Sequence, residues 1–141
     1  VMTLGKLRLS LGNKIKENHV YEMYRFCIKQ NVNITGIANK LLKFLIESNK
    51  VNKIVSYADK RWSNSHSFYS KIGFKLISET GPNYWYTKSY QKREHRFKYA
   101  KHTLNKKLKN FNPSLTEWEN MQLNGYDRIW DCGNLRYEMM I

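Results

Sequence analysis

The sequence predicts an α/β or α+β sheet domain, and three observations carry that expectation. The first ninety residues alternate strand-like and helix-like apolar patterns in the order strand, helix, strand, helix, strand. Twenty aromatic residues and a 41% hydrophobic fraction supply a core and exclude a wholly disordered chain. At 141 residues one domain is the default, and folding at this size buries about two-thirds of the unfolded chain's surface.

Each element has a local reason. Val1-Met2-Thr3-Leu4 is a short apolar strand end stopped by Gly5, and Gly12-Asn13 marks a turn. Tyr21 to Lys29 (YEMYRFCIK) alternates aromatic and polar residues and is a strand; Cys27 inside it is a small buried hydrophobe. A polar stretch from Asn31 to Gly36 follows. Ala38 to Ser48 sets Leu41, Leu42, Leu45 and Ile46 on one helical face, with Lys40, Lys43 and Glu47 opposite. Lys53 to Ala58 is a β-branched strand, and Ser65 to Ile72 a short helix ended by Gly73. Phe74 to Ser78 and Tyr84 to Thr87 form a hairpin through Gly81-Pro82-Asn83. Ser114 caps a helix to Asn124, with Glu117 as its capping-box partner and Gly125 as the stop. Tyr126 to Met140 is strand-like around a Cys132-Gly133-Asn134 turn. Leu115, Trp118, Met121, Ile129 and Trp130 order this tail, and Trp118, Trp130 and Tyr126 are core beneath it.

Charge and cysteine content narrow the function classes. Lys and Arg outnumber Asp and Glu by 25 to 11, a net charge of +14 that draws the chain to polyanions. From Lys88 to Lys109 there are seven Lys and two Arg against Glu94 alone, with Tyr90, Phe97 and Tyr99 interleaved. Lys92, Arg93, Arg96, Lys98 and Lys101 are therefore candidate nucleic-acid contacts, made through the phosphate backbone of DNA. A solvated helix face with inward aromatics fits the same spacing. Should those cations not line the surface, Lys14, Lys16 and Lys40 are the next candidates.

The longest apolar stretch is cut by Lys43 and falls far short of a membrane span. Cys27 and Cys132 do not make a disulfide framework, which predicts an intracellular, cytoplasmic setting with reduced thiols. The scattered His19, His66, His95 and His102 give no metal-ligand spacing, so no metal is expected. No paired-carboxylate or other nuclease arrangement is visible. A chain that starts at Val1 directly in an apolar segment is expected to be a fragment of a longer one.

The loop Asn33-Ile34-Thr35-Gly36-Ile37-Ala38 lies between a strand and an amphipathic helix. The first amides of a helix lack internal partners and sit at the positive end of its dipole, and small residues let a phosphate approach them. A single loop glycine is also an ordinary turn. In chain order with Phe68-Tyr69-Ser70-Lys71-Ile72-Gly73-Phe74, this loop resembles the pyrophosphate loop of the GNAT (N-acetyltransferase) superfamily, whose pattern is Gln/Arg-x-x-Gly-x-Gly/Ala. Asn33, Gly36 and Ala38 take its three positions. The second motif resembles the superfamily's Tyr-x-Lys-x-Gly-Phe.

That resemblance, over residues 1 to 88, implies a mixed, mostly antiparallel GNAT-like sheet flanked by helices, and an acyl-CoA donor such as acetyl-CoA. It implies that Asn33, Ile34, Thr35, Gly36, Ile37 and Ala38 hold the pyrophosphate. The strand bearing Cys27 and Ile28 would pair with the pantetheine arm and polarise the thioester carbonyl. Tyr69 would protonate the departing thiolate; its alternative is a packing tyrosine. Asp59, at a strand end, is a candidate base or amine-orienting group, or else an ion-pair partner of Lys60 or Arg61. Residues 89–141 are then a basic C-terminal extension packed on the 1–88 core.

The stretches VMTLGK, YEMYRFC, SYADKRWS, YSKIGFKLISETGPNYWY, HRFKYAKHTL and GYDRIWDCGNLRYE also look like the C-terminal part of a group of bacteriophage proteins. In those, a GNAT-like module follows a homing-endonuclease domain of the very-short-patch-repair type. This second resemblance implies a phage-infected host cell, DNA and an endonuclease domain as partners. It leaves open a non-catalytic DNA-binding module.

Overall fold

Two parallel strands can be neighbours only if a long crossover joins them, and the amphipathic helix is that crossover. β2 (Val20–Phe26) and β3 (Lys53–Asp59) pair in parallel, and α1 (Ile37–Glu47) connects them, burying Ala38 and Leu42 on its apolar face. The computed structural model describes residues 1–8, 18–64 and 66–141; Gly12-Asn13, Lys14, Lys16 and Ser65 lie outside the described residues.

β1 (Met2–Gly5) runs antiparallel to β2. After β3 come a one-turn helix, α2 (Phe68–Lys71), and β4 (Lys75–Glu79). β8 (Asn134–Met140) then enters antiparallel between β3 and β4, giving the order β1-β2-β3-β8-β4. The class is mixed α+β with mostly antiparallel pairing; β2–β3 is the parallel contact. Met23, Leu42, Ile54, Ala58, Phe74, Leu135 and Tyr137 form the core of this unit, Val1–Gly81 with Gly133–Ile141.

The second unit is Pro82–Cys132. Its sheet centres on β5 (Tyr84–Lys88), flanked by β6 (Lys92–His95) and β7 (Tyr126–Trp130), both antiparallel. Ser89 and Tyr90 adopt positive φ (54° and 55°) in the turn to β6, the conformation that matches the twist of a tight hairpin. A 3₁₀ turn (Arg96–Tyr99), α3 (Lys101–Leu104) and α4 (Glu117–Leu123) follow β6. Tyr86, Tyr99, Leu104, Leu108 and Met121 make the core, with Trp118 and Tyr126 packed on it.

Several sequence expectations are corrected here. Phe74–Ser78 and Tyr84–Thr87 are not a hairpin: β4 pairs with β8, whereas β5 finds β6 and β7. The boundary near Lys88 moves to Gly81/Pro82, and the chain returns to the first unit at Gly133. The exit and re-entry are clamped, since the amides of Thr80 and Asn134 each bond the other residue at 2.8 Å. Gly133 has φ +77°, and a Cβ there would come within 2.2 Å of the Thr80 carbonyl oxygen, so only glycine fits.

The cap of α4 is Thr116 rather than Ser114. Thr116 Oγ1 accepts from the Glu119 amide (3.2 Å) and Glu119 Oε2 from the Thr116 amide (2.7 Å). Ser114 instead donates its amide to Asn112 Oδ1 in the preceding turn, at 2.9 Å. Among the tail residues read as core, Trp130 is 55% exposed.

Candidate functional site

β2 and β3 stay together for only three registers, Val20↔Lys53 to Glu22↔Val55, and then separate. The cause lies on the other edge of β2. There Thr3 faces Arg25 while Leu4 faces Met23, so Tyr24 is an extra residue, and such a bulge bends its strand. Ser56 Oγ donates to the Met23 carbonyl at 3.1 Å just where pairing ends. Glu22, fully buried in the last paired register, has its carboxylate held by Arg8: Nε donates to Oε1 at 2.6 Å and the amide to Oε2 at 3.0 Å.

Past that point β2 is hydrogen-bonded on one side only among the described residues. Cys27 exchanges both backbone bonds with Val1, at 2.9 and 2.7 Å. Hydrogen-bonded residues alternate along an antiparallel ladder, so Phe26 aims its N–H and C=O at the opposite edge, the one β3 has left. Two expectations change as a result. The Cys27 amide is taken by Val1, which makes Phe26 the strand donor on the open side. Cys27 also lies beyond the strand end and is exposed, not a buried hydrophobe. Ile28 is exposed next to it.

From the same strand end the chain runs through the exposed residues Asn33, Ile34, Thr35 and Gly36 into α1. Gly36 is the N-cap, with φ 74° and open space where a Cβ would stand. Alanine there would pay the left-handed penalty of about 1–2 kcal/mol. The Ile37 amide bonds the Ile34 carbonyl (3.3 Å) and the helical ladder starts at Lys40. Among the described residues the amides of Ala38 and Asn39 have no acceptor, and the first turn carries no acidic residue. The Ala38 methyl is buried on the core side, so its small size serves packing while its amide stays at the helix start.

α2 is pinned beside the splayed end of β2. Phe68 stacks on Phe26 with centroids 5.0 Å apart and planes 3° off parallel. Tyr69 stacks on the buried Tyr137 at 5.0 Å and meets Phe74 edge-on at 5.9 Å. Its hydroxyl has no hydrogen-bond partner among the described residues. Tyr137 Oη in turn accepts from Ser67 Oγ (2.8 Å) and donates to the Asn64 carbonyl (2.9 Å), which fixes the segment entering α2. Asp59 closes the turn after β3: its Oδ1 accepts from the Arg61 amide at 2.7 Å, while Lys60 pairs with Glu79. Its carboxylate is thus a turn former and not an ion-pair partner of either neighbour.

The structure brings Phe26 beside the Tyr69 helix, and the sequence reading missed Phe26, Tyr137 and Glu22. An acid inside the apolar run YEMYRF was a usable signal for a buried ion pair. The Phe26–Phe68 stack had none, because it joins residues distant in sequence.

The five cations of the second unit divide. Lys92, Arg93 and Lys101 are exposed. Lys98 pairs with Glu94, and this hydrogen bond, followed by that from Tyr99, holds the Glu94 carboxyl below the usual range. Arg96 is half-buried against the rings of Tyr84 and Phe97. Burial, then the Glu117 hydrogen bond against an opposing one from Arg128, pushes the Tyr86 hydroxyl well above its ordinary value. Among the described residues no group of three His, Cys, Asp or Glu side chains is placed to hold a metal, and no helix is long and apolar enough to cross a membrane.

No protein-family model matches this sequence, and no curated protein matches it significantly.

Proposed function

We propose that the first unit is a GNAT-like N-acyltransferase domain that takes an acyl-CoA, acetyl-CoA first among them. The observation that carries this reading is the splay. A bulged strand leaves its parallel neighbour after three registers, exposes the backbone edge at Phe26, and leads directly to the unfilled amides of a helix start. An extended amide-bearing chain ending in phosphates needs such a layout: strand-edge pairing for its arm, and helix amides for its pyrophosphate.

In this reading the Phe26 N–H pairs with the pantetheine arm, and the Ala38 and Asn39 amides, reached past Gly36, hold the pyrophosphate. A bound thioester supplies the activated acyl group. As the neutral amine's nitrogen bonds the acyl carbon and the carbon–sulfur bond breaks, Tyr69 gives its phenolic proton to the leaving sulfur. The proton that the nitrogen loses passes to solvent, which returns one to the phenolate. The cysteine content suggests a cytoplasmic setting, and the resemblance implies a phage-infected host, near nucleic acid and an endonuclease domain.

Calorimetric titration with acetyl-CoA tests the reading: one site with a dissociation constant in the micromolar range is expected. Absence of heat at millimolar cofactor refutes it. A second reading, a non-catalytic nucleic-acid-binding module, is favoured by the exposed Lys92, Arg93 and Lys101, none of them in an ion pair among the described residues.

A further inference from the structure

The second unit contains a run of rings and guanidinium groups in alternation. Arg128 lies over Tyr84 at 4.2 Å and over Trp118 at 4.3 Å. Arg96 lies over the same Tyr84 ring at 5.4 Å and over Phe97 at 5.3 Å. Trp130 closes on Tyr84 at 4.9 Å. Among the described residues neither arginine is in an ion pair, and the Nε of each is buried with no hydrogen-bond partner. The nearby carboxylate of Glu117 is occupied by the hydroxyls of Tyr84 (3.3 Å) and Tyr86 (2.7 Å). Among the described residues Arg128 makes one hydrogen bond, donating to Tyr86 Oη at 3.2 Å.

Two features separate this cluster from ordinary core packing. The rings at its margin face solvent, Phe97 at 63% and Trp130 at 55% exposure. The cations between them are held in place over the rings, so meeting an anion costs little further ordering. Exposed rings beside fixed, carboxylate-free guanidiniums suit a ligand that alternates flat apolar faces with anionic links.

We propose that this cluster binds single-stranded nucleic acid, with bases stacking on Phe97 and Trp130 and phosphates meeting Arg96 and Arg128. The proposal rests on the nucleic-acid reading above and sharpens it; it is independent of acyl transfer. A single strand is the matching form because its base faces are open, whereas duplex bases are covered by one another and offer only groove edges.

The test is fluorescence anisotropy of the full chain with a labelled oligothymidylate and with a duplex of equal length. The expected result is tighter binding of the single strand, with a salt slope of about 0.7 per neutralised phosphate. Phe97→Ala and Trp130→Ala should each weaken single-strand binding by about tenfold and leave duplex affinity unchanged. Phe97→Leu and Trp130→Leu, which keep apolar bulk without a ring, should behave like the alanine variants; melting curves matching the parent confirm the fold. Binding of duplex alone, or single-strand affinity unmoved in all four variants, overturns the stacking site and leaves the nucleic-acid reading standing. Binding of neither overturns both.

Discussion

Replacing Tyr69 with phenylalanine is expected to lower kcat for acyl transfer by about 10²–10⁴, the range for loss of a positioned general acid. Affinity for acetyl-CoA and the melting temperature should stay as they were. The ring's contacts with Tyr137 and Phe74 survive the change, and the hydroxyl removed makes no hydrogen bond among the described residues. Release of free thiol, followed over a panel of polyamines and lysine peptides alongside thermal melts, separates the two effects. Unaltered kcat in the folded variant would reduce Tyr69 to a packing residue.

Arg8→Ala should have the largest effect on stability. It strips the guanidinium from the fully buried Glu22 and leaves a buried carboxylate without its counter-charge at the root of the splay, held by the residue-8 amide. Breaking a buried pair costs about 3–5 kcal/mol, and the lower end applies because half of the Arg8 side chain is already exposed. About 3 kcal/mol corresponds to a fall in Tm of roughly 12–24 °C for a unit of this size. Replacing both partners, as Arg8→Met with Glu22→Gln, should recover most of the loss, since no charge is then stranded. A fall of only one or two degrees in Arg8→Ala would show that water or another group already balances Glu22.

The legible parts of the fold were those set by local periodicity. The α1 stripe and the β-branched β3 stand where their spacing put them, and the aromatic β2 does so up to Phe26, three residues short of its expected end. What the sequence hid was pairing. β4 and β5 are joined by Gly81-Pro82-Asn83 and resemble a hairpin, yet β4 pairs with a strand more than fifty residues further on. Nothing local distinguishes a hairpin turn from an exit into a second unit.

The same distinction runs through the site. Gly36 and Tyr69 were visible as motif positions. The donor edge at Phe26 was displaced by one residue onto Cys27, because the side of a strand that faces an open edge depends on its register with β1. In the second unit the charge run was plain, but the partners of its members were not. Arg96 stacks on Tyr84 instead of standing in solvent, and Arg128, outside the run, shares that ring.

Amide NMR of the folded chain titrated with coenzyme A tests the acyl-CoA site most directly, because it needs neither a known amine nor turnover. A site in the splay requires saturable shifts at Phe26 on the open strand edge and at Gly36, Ala38 and Asn39 at the helix start, with Pro82–Cys132 unmoved. Shifts confined to the basic second unit, or none at millimolar ligand, would contradict it.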